Sequence, residues 1–303
     1  MDNSRTPDRV GSADAGPTTQ PAPQYLSRPE GRISYTVQGA GPVVVLVPGM
    51  GDLRSTWREL VGPLVTAGYR VAVTDLRGHG DSDTTFSRYG DIATGEDLIA
   101  LVRELGDEPA VLIGNSMGAS AAIWAAAERP DRVAGLVLVS PFLREPKQVP
   151  GMAGLLRLVY RLLFARPWGA SAWASYYRRV LSKGATAPWL DEHVADLRTS
   201  LRRAGYLRAF RRLTLQLTHK PVEERLAEVR APAVAFVGEL DPDFADPAAE
   251  LAWIVEALDA RGVAVPDAAH YPQHQAPALV LPIVLEHLAG LRRTTGPAAR
   301  WDL

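Results

Sequence analysis

Ala110-Val111-Leu112-Ile113-Gly114-Asn115-Ser116-Met117-Gly118 is the stretch that decides the fold. The apolar run Ala110 to Ile113 reads as a buried strand, and the Ala-rich segment from Met117 onward reads as a helix. Gly114 to Gly118 then forms a strand–turn–helix elbow with Ser116 at its apex. Such an elbow strains the serine backbone and needs small neighbours on both sides, which Gly114 and Gly118 supply. A bare Gly-x-Ser-x-Gly arises often by chance; between a strand and a helix it marks Ser116 as a nucleophile.

The same alternation extends outward from the elbow. Segments 32–38, 43–47, 70–74 and 133–139 read as strands, several of them Val-rich and continuously apolar. That pattern belongs to parallel strands covered on both faces. Helical patterns fall between them at 55–66, 91–105 and 117–128, so a parallel α/β sheet is expected. The rhythm breaks after Ser140-Pro141. From 143 to 220 no strand is convincing, and aromatics and arginines recur at helical spacing. It resumes with a strand at 233–237, a helix at 247–258, a short strand at 263–265 and a last helix at 277–291. The expected organisation is a disordered leader (1–29), a core built from 30–142 and 221–293, a helical cap (143–220) and a loose tail (294–303).

With 303 residues and 47% hydrophobic content the chain can bury the core of one large domain. A net charge of −1 gives no sign of a nucleic-acid partner. The absence of cysteine excludes disulfides, thiolate metal sites and a cysteine nucleophile. The histidines are scattered and no phosphate-binding or dinucleotide-binding glycine motif occurs, so neither a metal nor an organic cofactor is expected. The first 29 residues lack the apolar core of a signal peptide, and no apolar run approaches the roughly 20 residues of a membrane span. A cytoplasmic location is the expectation.

Charge is unevenly distributed. The segment 143–220 carries 15 Lys and Arg against 4 Asp and Glu, a net of +11, which leaves −12 on the rest. A solvated arginine-rich surface accounts for this, and so does attraction of an anionic substrate, carrier or surface. Within the segment, Leu155, Leu156, Val159, Leu162 and Leu163 make an apolar stripe with Arg157 and Arg161 off it. Trp168, Trp173, Tyr176, Tyr177 and Trp189 add bulk. The stripe reads as cap core, with a pocket wall as the alternative.

A serine hydroxyl needs a base within hydrogen-bond reach, and the base needs a third group to orient it. Downstream of the insertion, Asp241 leaves the 233–237 strand in Gly238-Glu239-Leu240-Asp241-Pro242-Asp243 and is the expected acid. Asp243 is the next candidate, Glu239 and Asp246 compete, and Asp246 before Pro247 reads as a helix cap. The base is sought in Pro266-Asp267-Ala268-Ala269-His270-Tyr271-Pro272, where His270 leads and His274 is its rival. His193, His219 and His287 read as non-catalytic. The oxyanion donors are expected to be the N–H groups of Met117, directly after the nucleophile, and of Met50 in Pro48-Gly49-Met50-Gly51. The loop Asp75-Leu76-Arg77-Gly78-His79-Gly80-Asp81-Ser82 reads as scaffold beside the site.

These motifs together resemble the α/β-hydrolase fold family, in its lidded, esterase-like branch. The resemblance runs from about Gly31 to Leu291. It implies an eight-stranded, mostly parallel sheet flanked by helices, with a helical cap inserted after the sixth strand. It also implies a serine hydrolase of carboxylic esters or thioesters, since the family performs epoxide and haloalkane chemistry with aspartate in place of Ser116. Two departures stand out. Pro48 occupies a position where the family usually has His, which alters the rim of the oxyanion loop, and Ala269 replaces a usual Gly. The same triad serves carbon–carbon bond hydrolysis, perhydrolysis and acyl transfer, and the Gly-Asn-Ser-Met-Gly elbow resembles that of carbon–carbon hydrolases. A ligand-binding protein that keeps the fold without turnover is the alternative from another class.

Overall fold

The computed structural model describes residues 21–145 and 153–294. Eight strands form one sheet in the order β1-β2-β4-β3-β5-β6-β7-β8. They are β1 (Gln24–Arg28), β2 (Gly31–Gln38), β3 (Val43–Val47), β4 (Arg70–Thr74), β5 (Ala110–Asn115), β6 (Val133–Val139), β7 (Ala233–Gly238) and β8 (Arg261–Val265). β1 and β2 run antiparallel to their neighbours, and every pairing from β4 to β8 is parallel. Side chains alternate across the pleat. Val43, Val45 and Val47 of β3 enter one core and Val44 and Leu46 the other. Both faces are covered, which explains why the inner strands are apolar without interruption.

Helices α1 (Arg58–Thr66), α2 (Asp91–Leu105) and α3 (Met117–Glu128) follow the early strands. The first core packs α2 and α3 against the sheet, and the second packs Leu60 and Leu64 of α1. Helix α3 is buried from Met117 to Ala127, a placement its alanines allow because small side chains admit close neighbours. Between β6 and β7 come α4 (Ala153–Leu163), α5 (Gly169–Tyr176), a π-turn (Tyr177–Leu181), α6 (Leu190–Arg202), α7 (Tyr206–Gln216) and the short α8 (Lys220–Glu223). The chain then closes with α9 (Pro247–Leu258), the short α10 (Pro272–Gln275) and α11 (Pro277–Thr294). Val280, Val284 and Leu288 of α11 complete the second core. No helix of the described residues is long and apolar enough to cross a membrane.

Two expectations need correction. Residues 24–28, assigned above to a disordered leader, form β1 and pair with β2 across the tight Pro29-Glu30 turn. Arg28 of this strand donates to Asp97 at 2.8 Å, and Leu26 is buried in the first core. Residues 1–20 of that leader and the tail beyond 294 lie outside the described residues. The stripe on α4 is not core: Leu155, Val159, Leu162 and Leu163 are all more than two-fifths exposed. The side chain of Leu156 lies outside the described residues. The helical insertion instead packs on Phe164, Trp173, Tyr177, Leu197 and Phe210, joined by Tyr271 from the loop before α10.

Candidate active site

The elbow is built by close approach. Ser116 sits between β5 and α3 with φ 54° and ψ −124°, a region that side-chain-bearing residues rarely occupy. A Cβ on Gly114 would lie 2.5 Å from the Ala119 nitrogen, and one on Gly118 would lie 2.5 Å from the Pro48 oxygen. Only glycine fits at either place. The strained serine is held by its own N–H, which donates to Val139 O at 2.9 Å. Asn115 adds a brace: its Nδ2 donates to Val139 O at 3.1 Å and to His270 O at 3.0 Å. This side chain ties the elbow to the loop that carries the histidine.

That loop lies directly on the end of β7, where a Cβ on Gly238 would meet the Ala269 oxygen at 2.0 Å. His270 is buried, and its Nδ1–H donates to Asp241 Oδ2 at 3.0 Å and Oδ1 at 3.2 Å. A second carboxylate faces the same nitrogen, with Asp243 Oδ2 at 3.4 Å. Asp243 N–H donates to Asp241 Oδ1 at 3.1 Å, and Tyr176 OH donates to Asp243 Oδ1 at 3.3 Å. Burial disfavours a charged imidazole, but the carboxylates of Asp241 and Asp243 outweigh it and raise His270 to about 9. Burial likewise pushes Asp241 up, and the facing His270 more than reverses it, so its carboxyl is held below the usual range. Asp243 goes the other way, raised by burial and by the charge of Asp241 despite His270.

The histidine loop has a further support that the sequence reading missed. Gln275 Oε1 accepts from Ala269 N–H at 2.9 Å and from Tyr271 N–H at 3.2 Å, while its Nε2 donates to Lys183 O and Ala185 O at 2.8 Å. His270 N–H donates to Leu181 O at 3.0 Å, so the inserted helices and the His270 loop share one network. No hydrogen bond joins Ser116 Oγ to the His270 ring; with Nδ1 committed to the carboxylates, Nε2 is the nitrogen left to take a proton. Serine–histidine contacts of this kind commonly tighten only with substrate bound.

The rivals are placed elsewhere. Glu239 is exposed, and Asp246 caps α9 by accepting from Ala249 N–H at 3.0 Å. His274 is buried with neither ring nitrogen bonded, and burial lowers it to about 3, so it stays neutral and stacks on Tyr271. His193 pairs with Asp52 and His219 with Asp91. His287 is pushed down by burial. His79 donates from Nδ1 to Arg77 O at 2.9 Å and accepts Gly51 N–H on Nε2 at 3.0 Å, a scaffold role for the neutral ring that burial favours.

The Pro48-Gly49-Met50-Gly51 loop runs beside the elbow. A Cβ on Gly49 would lie 2.9 Å from Ser116 Cβ. Gly51 adopts φ +75°, and its carbonyl accepts from Trp173 Nε1 at 2.8 Å. Among the described residues neither Met50 N–H nor Met117 N–H enters a turn or loop hydrogen bond. Met117 opens α3, where the helix has no carbonyl for it. Asp241, Asp243 and His270 bring ligand-type atoms within 4.8 Å of one another. The ring nitrogen among them is occupied by carboxylate hydrogen bonds, so the cluster is arranged to hold a proton.

Comparison with known proteins agrees with this architecture. The profile of a family described as alpha/beta hydrolase fold matches residues 42–277. An epoxide hydrolase of Caballeronia sordidicola is 41% identical over 102 residues, 33% of this chain and 31% of that protein. The 2-hydroxy-6-oxononadienedioate/2-hydroxy-6-oxononatrienedioate hydrolase of Comamonas testosteroni is 34% identical over 114 residues, 36% of this chain and 40% of that protein. The chain thus matches well under half the length of these curated relatives. Among solved structures, a thermophilic esterase from Thermogutta terrifontis superposes with a TM-score of 0.70 at 24% identity, over 89% of this chain and 99% of that one. That last likeness is one of fold.

Proposed function

The chain belongs to the alpha/beta hydrolase fold family, and from that premise we propose that it is a serine hydrolase of carboxylic esters or thioesters. Ser116 Oγ attacks the acyl carbonyl as His270 Nε2 takes its proton, and Asp241 holds the imidazolium that forms. The N–H groups of Met50 and Met117 stabilise the oxyanion. Collapse expels the alcohol or thiol, which leaves with the proton from His270. Water then attacks the acyl-enzyme, His270 again takes the proton, and the acid departs as Ser116 recovers its hydrogen. The observation that carries this reading is the buried His270–Asp241 pair at 3.0 Å, joined through Asn115 to a serine at φ 54°.

Covalent labelling tests it. A fluorophosphonate probe is expected to add once to the wild-type protein, by intact mass, and not to Ser116→Ala or His270→Ala. A folded wild-type protein that takes no adduct would overturn the proposal and favour a binding role on the same fold. Similarity to the Comamonas hydrolase favours a second reading, carbon–carbon bond cleavage by the same residues. Ser116-dependent turnover of 1,3-diketones but not of p-nitrophenyl esters would select it. The net charge of +11 on 143–220 supports an acid-bearing or carrier-linked acyl group as substrate. Acyl-CoA turnover that never exceeds that of neutral esters of equal chain length would refute that preference.

A further inference from the structure

Directly behind the oxyanion loop lies a buried polar cluster that the reaction leaves unused. Asp52 follows Gly51 and is fully buried, as is His193 of α6. His193 Nε2–H donates to Asp52 Oδ1 at 2.7 Å, and its Nδ1 meets Ser55 Oγ at 3.0 Å. Tyr177 OH donates to Asp52 Oδ2 at 3.2 Å, and Leu53 N–H donates to Oδ1 at 2.7 Å. Burial pushes the Asp52 carboxyl up, but His193 more than offsets it and keeps the group ionised. Two of these donors, His193 and Tyr177, come from the inserted helices, as does Trp173, which grips the Gly51 carbonyl.

A buried carboxylate with its hydrogen-bond partners is a poor source of stability, because well-packed apolar residues often do as well. What such a cluster can supply instead is register, and Asp52 lies two residues after Met50. The next residue, Gly51, is held on both sides: its N–H donates to His79 Nε2 at 3.0 Å and its carbonyl accepts from Trp173 Nε1 at 2.8 Å. We propose that Asp52 and His193 are positioning residues: His193 of the inserted helices locks Asp52 and thereby holds Met50 N–H on the oxyanion. The insertion then completes the oxyanion site as well as covering it. This inference rests on the serine-hydrolase reading above.

An interaction made only in the transition state lowers kcat and leaves KM nearly alone when it is lost. With p-nitrophenyl butyrate as probe, His193→Ala is expected to reduce kcat by about 10- to 100-fold, since misplacing one oxyanion donor costs on that order. KM should stay within about twofold. His193→Gln, whose amide can still donate to Asp52, should recover most of the rate. Trp173→Phe deletes only the Nε1–H donor and should cost a smaller factor in kcat, which keeps the test decisive if His193→Ala does not fold. Amide exchange adds a readout independent of turnover: Gly51 N–H should exchange at least about tenfold faster in a folded His193 variant, as expected when local protection is lost. Wild-type kcat in folded His193→Ala or Trp173→Phe, a loss confined to KM, or unchanged Gly51 exchange would overturn the inference. A wild-type protein without Ser116-dependent turnover sinks the hydrolase reading instead, and Gly51 exchange then decides alone whether His193 holds the loop.

Discussion

Asp243→Asn should speed the enzyme at neutral pH. Two carboxylates face His270 Nδ1, Asp241 at 3.0 Å and Asp243 at 3.4 Å, and together they raise the ring to about 9. A protonated ring cannot accept the serine proton, so the rate should climb as pH rises through that value. At pH 7 only about 1% of the rings are then neutral. At 3.4 Å the Asp243 charge contributes about 1 kcal/mol of attraction in water and about 5 kcal/mol at an effective dielectric of about 20. Because the Asp243 side chain is 23% exposed, solvent screens it and the lower end applies. That is a fall of about one unit in the His270 pKa. Asparagine matches the carboxylate in shape and can still accept from Tyr176.

The assay is the second-order rate of fluorophosphonate labelling between pH 6 and 10, which requires no knowledge of the natural substrate. The acid limb for Asp243→Asn should shift down by about one unit, giving roughly tenfold faster labelling at pH 7 and near-equal rates above pH 9.5. Asp241→Asn is the contrast: without the partner that orients the ring, labelling should fall about 10³- to 10⁴-fold at every pH. An acid limb that stays in place for Asp243→Asn, or moves upward, would refute the argument that this second carboxylate holds the proton on His270.

Two further outcomes follow from packing. Gly118→Ala puts a methyl group 2.5 Å from the Pro48 carbonyl, a backbone atom that cannot swing aside, and should cost about 3 kcal/mol in urea unfolding. A loss under about 1 kcal/mol would mean that the β3 loop is looser than its contacts indicate. Asp97→Asn removes the charge that Arg77 grips through two bonds, at 2.6 and 2.8 Å, with Arg28 on the same group. It should destabilise the fold by about 3 kcal/mol or more by leaving Arg77 buried without a full partner, and chemical denaturation measures it directly.

What was legible in the sequence divides along the range of the interactions involved. The elbow could be read because everything that shapes it is written within nine residues: an apolar strand, two glycines and a helix of alanines. Strand β1 could not, because only Leu26 of its five residues is buried and the strand exists by pairing with β2. Periodicity showed that α4 has an apolar face but not what covers that face, and Leu155, Val159 and Leu162 are exposed. The parts of the site that escaped are long-range polar contacts. Asn115 reaches a carbonyl 155 residues away, and Asp52 meets His193 across 141. In sequence, a buried histidine such as His193 is indistinguishable from a solvated one. Its meaning comes from the carboxylate opposite, and only the fold supplies that partner. The residues proposed to do the chemistry lie on short local motifs, whereas the residues proposed to aim them lie on whichever elements the packing brings alongside. A reading from sequence therefore reaches the proposed nucleophile, base and acid before it reaches the side chains that hold them in place.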